Sequence, residues 1–217
     1  LQCAPALAHR NRIKYLRRML QRETEANASN GRRTNILNLG CGPAREVEQF
    51  LVEEELSDLT AFTLFDFNDE TIEYTQRLLM RARTTAGRVT PVNFVKRSVH
   101  QLIRQSVPGR ENGDLAGESY DVVYCAGLFD YLSQRVCTRL VEVFYRLLRP
   151  GGLLVVTNVS TANPSKGMME YILEWNLIYR DKAHMMDMIP EAVSPKNCTL
   201  RTEETGVNYI LEIRKTT

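Results

Sequence analysis

Short apolar runs alternate along this chain with longer stretches in which apolar residues return every three or four positions. The runs cover residues 36–39, 60–67, 92–96, 121–125 and 153–157. The last is apolar on both faces, as a strand in the middle of a parallel sheet has to be. Ile13, Leu16, Met19 and Leu20 mark a helix over residues 7–27, and Val47, Phe50 and Leu51 mark another that ends near Leu56. Ile72, Leu79 and Ala82 line a third, capped by Asn68 or Asp69, and a short one follows Arg97-Ser98-Val99. The clearest helix starts from a cap at Ser133, runs through Val136, Leu140, Val143, Phe144, Leu147 and Leu148, and stops at Arg149-Pro150-Gly151-Gly152. Residues 28–31 and the polar stretch 108–119 read as loops. Residues 199–202 and 207–214 read as two strands of a closing hairpin. This alternation predicts an α/β fold: a Rossmann-like, doubly wound, mostly parallel seven-stranded sheet with a C-terminal antiparallel hairpin.

With 217 residues there is room for one sizeable α/β domain. Residues 1–34 read as an N-terminal helix and linker, and residues 35–217 as the ligand-binding domain. Leu1 in place of a methionine reads as the start of a piece of a longer chain. The first helix carries Arg10, Arg12, Lys14, Arg17, Arg18 and Arg22. With a net charge of only +2, it is expected to be a solvated helix on the domain's edge, not a nucleic-acid or membrane surface. No apolar run approaches the roughly 18 residues of a transmembrane helix. The five cysteines form no C-x-x-C pair, which argues for a reducing, cytoplasmic setting and against a disulfide framework or a zinc or other metal site. His9 and His100 read as structural.

The candidate chemistry begins where the first strand meets Gly40-Cys41-Gly42-Pro43-Ala44. An apolar run, two glycines and then a helix are the signature of a nucleotide-binding loop, with Pro43 expected in the helix's first turn. Such sheets hold ligands beyond the strand tips, where strand order reverses. Asp66 ends the second strand roughly 20 positions after the glycines, where a ribose-binding acid belongs. Cys125-Ala126-Gly127 ends the fourth. A dinucleotide is the obvious rival ligand, and a nicotinamide oxidoreductase would be the corresponding enzyme. However, Arg45 replaces the third fingerprint glycine, Pro43 lacks an N–H, and no phosphate-binding lysine follows. The pattern suits a nucleoside without phosphate.

These residues resemble a family. Residues 36–44 are similar to motif I of the class I methyltransferases that use S-adenosylmethionine. Leu64-Phe65-Asp66-Phe67-Asn68 resembles their ribose-binding strand end, and Leu147 through Gly152 resembles their "L-R-P-G-G" signature. The resemblance implies S-adenosylmethionine as cofactor, bound by Gly40, Cys41, Gly42, Pro43, Ala44, Asp66, Phe67, Asn68, Ser98, Val99, Cys125, Ala126 and Gly127. Two positions depart from it: Asn38 stands in place of an acid, and Ser98 in place of an adenine-facing aspartate. More narrowly, residues 124–132 and 169–175 look like a bacterial subgroup that methylates 3-hydroxy fatty acids to ester signals, some of whose relatives carry an upstream regulatory domain.

Methyl transfer requires the protein to align a nucleophile and exclude water. A carboxylate is already ionised at neutral pH, whereas an alcohol or phenol wants a base. The expected small-molecule acceptor wall is residues 158–189. Its helix carries one stripe of Met169, Ile172, Leu173 and Leu177 and another of Met168, Tyr171, Trp175 and Tyr179, facing core, pocket or a homodimer contact. Phe129, Tyr131, Asn158 and Arg180 complete the substrate set. Tyr131 and Arg180 are candidates for holding a carboxylate, and His184 is the candidate base, with Tyr131 beside it. The alternatives are O- or N-methylation of another metabolite, or a non-catalytic nucleoside sensor.

Overall fold

The computed structural model describes residues 3–105 and 119–216, so all but Ser119 of the loop expected over 108–119 lies outside them. The seven strands are β1 (Thr34–Leu39), β2 (Thr60–Asp66), β3 (Val92–Lys96), β4 (Tyr120–Ala126), β5 (Leu148–Val159), β6 (Cys198–Thr202) and β7 (Asn208–Arg214). They form one sheet in the order β3-β2-β1-β4-β5-β7-β6. The first five pair in parallel, and β7 runs antiparallel to both β5 and β6. This is the mixed sheet that the alternation predicts. Strand order reverses between β1 and β4, so the tips of those two strands open a crevice.

Neighbouring residues on the central strands are buried on opposite faces, which explains why these strands read as unbroken apolar runs. Ile36, Val122 and Val155 meet Leu16 and Leu20 of α1 (Ala4–Ala28), Phe50 of α2 (Arg45–Glu53) and Leu79 of α3 (Asp69–Ala86). Leu37, Val123 and Leu154 share the other cluster with Leu102 of α4 (Val99–Gln105), Leu140 and Phe144 of α5 (Gln134–Leu147), and Met185 of α7 (Lys182–Met186). The first helix is also tied to the last strand: Glu23 accepts from Arg214 at 2.6 and 2.8 Å, and the Tyr15 hydroxyl bonds Glu212. Among the described residues no helix is long and apolar enough to cross a membrane.

Local expectations need correction in several places. Pro43 is not in a helix: α2 begins at Arg45, because Gly42 (φ 52°) and Ala44 (φ 45°) are both left-handed and keep the chain in a tight loop. The same helix ends at Glu53, and a 3₁₀ turn covers Glu55–Leu59. Ser133 sits at the N-cap of α5, but its side chain makes no capping bond. The Arg149-Pro150-Gly151-Gly152 stretch already belongs to β5.

The largest departure concerns the expected long helix in the acceptor wall. Only α6 (Lys166–Tyr171) forms. The Leu173 and Trp175 N–H groups turn back to the Met168 and Met169 carbonyls, and Glu174 adopts φ 50°. Of the two apolar stripes only Met169 is fully buried, while Tyr171, Ile172, Leu173 and Trp175 are exposed.

Candidate functional site

A cavity of about 360 Å³ opens over the tips of β1, β2, β4 and β5, within the size range of small-molecule sites. Leu39, Gly40, Gly42, Asp66 and Phe67 form one end. Ala126, Gly127, Leu128, Asp130 and Tyr131 cross the middle, and Val159, Met169, Trp175, Leu177 and Val207 make an apolar far wall. Pro5, His9 and Arg12 of α1 close it from above. A smaller space of about 90 Å³ lies against Asn38, Cys41, Pro43, Ala44 and Glu46, and shares Gly40, Gly42, Ala126, His9 and Arg12 with the first.

The glycine loop is built by its own backbone. Cys41 N–H donates to the Phe65 carbonyl at 2.9 Å, Gly42 N–H to Asp66 Oδ2 at 3.1 Å, and Ala44 N–H to the Cys41 carbonyl at 3.0 Å. Pro43 has no N–H, so residues 41–44 offer no free donor to a phosphate. Asp66 is buried, and its other oxygen accepts from the N–H groups of Phe67 and Asn68 at 2.8 and 3.1 Å. It does not cap a helix: Asn68 caps α3 by accepting from Thr71 N–H at 3.0 Å. A Cβ added to Gly42 would meet no protein atom within 4 Å, so the space above it is open to a ligand.

A buried acid lies beside Asn38, on α2. Asn38 is buried and donates to Glu46 Oε1 at 3.2 Å, and the Tyr124 hydroxyl donates to the same oxygen at 2.8 Å. Burial holds the Glu46 carboxyl above its usual range. The two flanking cysteines are inert. Burial raises both thiols, and Asp66 and Glu46 push Cys41 higher still.

The predicted site residues do not all meet. Gly40, Gly42, Asp66, Phe67, Val99, Ala126, Gly127, Tyr131 and Trp175 line the main cavity, and Cys41, Pro43 and Ala44 line the smaller one. Ser98 exchanges bonds with Gln101 at the start of α4 instead. Cys125 and Phe129 are packed into the core. Met168, Tyr171 and Tyr179 are not in the cavity lining.

Arg180 is neither exposed nor open to a ligand. At 1 % exposure, it donates to the carbonyls of Phe129 and Leu132, to Asn158 and to Gln134. Asn158 is spent in the same network, with its Nδ2 on the Val159 and Ile178 carbonyls. His184 is not in the cavity lining. It is exposed on α7 with Nδ1 2.7 Å from Asp181 Oδ1, the oxygen that also caps that helix.

Among the lining residues that the sequence reading did not assign to the site are Asp130, His9, Arg12 and Glu46. Asp130 is 3 % exposed. Its Oδ1 accepts from Val159 N–H at 2.7 Å, and no donor among the described residues reaches Oδ2. Burial raises its pKa from 3.8 to about 6, against the pull of the Val159 bond, Arg12 and Arg180. His9 and Arg12 come from a helix assigned to the domain's edge, and Glu46 from the first turn of α2. An acidic residue inside the apolar frame Val47, Phe50 and Leu51 is a signal that could have found Glu46. Nothing in the local pattern marks Arg12 or Asp130.

A family model described as a methyltransferase domain matches residues 30–207. No curated protein matches the sequence. Among solved structures, the chain is similar to a possible exported protein from Bordetella parapertussis, at 19% identity and TM-score 0.71, covering 97% of this chain and 69% of that one. It is also similar to magnesium protoporphyrin IX methyltransferase from Synechocystis PCC 6803 with bound SAH, at 11% identity and TM-score 0.61, covering 97% and 84%. A third is the N-methyltransferase NodS from Bradyrhizobium japonicum WM9 in complex with S-adenosyl-l-homocysteine, at 14% identity and TM-score 0.59, covering 94% and 87%. At these identities the likeness is one of fold.

Proposed function

The chain belongs to the methyltransferase-domain family, and from that premise we propose that it uses S-adenosylmethionine to methylate a small-molecule acceptor with an apolar body. The observation that carries this reading is one cavity with two unlike ends. A glycine loop tied to a buried carboxylate forms one end, and Leu128, Val159, Met169, Leu177 and Val207 the other. The donor set fits a nucleoside: Asp66 faces the cavity as an acceptor, the space over Gly42 is open, and the loop lacks the free N–H groups that a dinucleotide's pyrophosphate needs. The cofactor supplies a methyl group on a cationic sulfur, whose bonding electron pair returns to sulfur as the nucleophile takes the carbon. Gly40, Gly42, Asp66 and Phe67 would hold the nucleoside, and the apolar wall would exclude water from the reacting atoms.

For the acceptor, we read the carboxylate of an acyl compound such as a 3-hydroxy fatty acid. The apolar far wall and the exposed Trp175 and Tyr131 at its edge support this, joined by a 2.8 Å bond from Trp175 Nε1 to the Tyr131 hydroxyl. One observation favours a second reading, transfer to a hydroxyl or amine. Asp130 lines the cavity, one of its oxygens is reached by no donor among the described residues, and burial raises its pKa to about 6, where a carboxylate can take a proton. It is a better placed base than His184.

Incubating the protein with isotopically labelled methyl donor and a pool of fatty acids, alcohols and amines tests both readings. Label released as methanol by mild alkali identifies an ester, and alkali-stable label identifies the second reading. Donor binding without label in any product would overturn both.

A further inference from the structure

The cavity has a cationic group that lies outside the residues matched by the family model: Arg12, on α1. Its guanidinium lies over the backbone of Gly127, where an added Cβ would sit 3.2 Å from both Nη1 and Nη2. Gly127 has φ +98° as well, so a side chain there would be strained and would also displace the guanidinium. Arg12 borders both the main and the smaller cavity. Its one side-chain hydrogen bond among the described residues runs from Nη2 to His9 Nδ1 at 3.1 Å. That bond needs a neutral imidazole, and partial burial together with Arg12 itself lowers the His9 pKa accordingly.

A guanidinium carries five donors in a planar fork that matches a carboxylate. Here one is spent, on an uncharged ring, while the buried Asp130 and Glu46 feel the charge without pairing to it. We infer that Arg12 is a carboxylate anchor, reaching from the first helix to bind an anionic group of the ligand held between the β1 and β4 tips. The inference rests on the methyl-donor reading above. Two carboxylates share this chemistry, that of the donor's amino-acid tail and that of an acid acceptor. In either case α1 is a working part of the site.

Calorimetry on the full chain with Arg12→Gln and Arg12→Lys separates the sources. The probes are S-adenosylhomocysteine and 5′-methylthioadenosine, which share the nucleoside but differ in the amino-acid tail. Dodecanoate and dodecanol are added in the presence of 5′-methylthioadenosine. If Arg12 holds the tail, Arg12→Gln weakens S-adenosylhomocysteine at least tenfold, leaves 5′-methylthioadenosine within twofold, and Arg12→Lys recovers part of the loss. If it holds the acceptor, dodecanoate weakens tenfold while dodecanol and both nucleosides do not. Unchanged binding of all four probes, or equal weakening of both nucleosides, overturns the anchor. A wild-type chain that binds neither nucleoside overturns the methyl-donor reading and this inference with it.

Discussion

The two ends of the cavity are made in different ways. At the nucleoside end, one carboxylate, a few backbone N–H groups and the Thr75 hydroxyl of α3, which donates to the Gly42 carbonyl, hold residues 40–44 and 66–68 together. At the acceptor end, the frame is a buried charged network. Arg180 braces the turn after β4 against Asn158 on β5, and Asp130 holds the Val159 N–H. Beside that frame, Tyr131 and Trp175 line the cavity, are exposed and are joined to each other by a hydrogen bond. One end is therefore set by backbone geometry, which fixes what it can hold. The other is set by buried side chains, with exposed aromatic groups at its edge.

The sharpest way to break this contrast is Arg180→Met. If the acceptor end rests on a buried network, removing the guanidinium leaves several buried acceptors unpaired and should lower stability by about 3–5 kcal/mol in denaturant unfolding. A loss below about 1 kcal/mol would mean the brace is dispensable. Asp130→Asn is next. With a folded-state pKa near 6 against an ordinary 3.8, the native state keeps a proton that the unfolded chain has lost. The stability this contributes is complete below about pH 4 and disappears as pH rises through 6. The asparagine variant should thus be more stable than wild type at pH 7.5, by on the order of 3 kcal/mol, and should lack the slope between pH 4 and 6. A wild-type curve that is flat there, or rises, contradicts the assignment.

At the other end, Asp66→Ala should weaken S-adenosylhomocysteine binding at least tenfold, about 1.4 kcal/mol, by calorimetry. A change of less than threefold removes Asp66 from the ribose. The smallest effect belongs to Trp175→Ala, which should shift stability by less than about 0.5 kcal/mol yet reduce acceptor binding several-fold and leave donor binding alone. Equal effects on both ligands would make Trp175 part of a common core.

The sheet was legible because central strands are buried on both faces and helices on one, and runs such as Leu153 to Thr157 and the stripe Leu140, Val143 and Phe144 carry that difference directly. The strand tips followed from the same pattern, which is why Gly40, Gly42, Asp66 and Ala126 could be brought together from spacing alone. The rest depended on distances that spacing does not encode. Arg180 sits in an exposed-looking, polar stretch and is drawn inwards by carbonyls of a turn some fifty residues earlier. The apolar residues 168–179 have helical period, but the helix stops at Tyr171, the chain turns left-handed at Glu174, and Tyr171, Ile172, Leu173 and Trp175 are left at the surface. Arg12 looks like any other cation on α1, and only the way that helix lies over Gly127 distinguishes it from Arg10 or Lys14.

The tie between Glu23 and Arg214 joins the first helix to the last strand, and it has a consequence for synthesis. A nascent chain emerging from the ribosome can pair β1 with β2 and lay α1 on β1 and α2 early, but the bonds from Glu23 to Arg214 wait until β7 has been made. Val207 and Asn208, at the head of that strand, also line the chamber, so its wall closes only after β7 has joined the sheet.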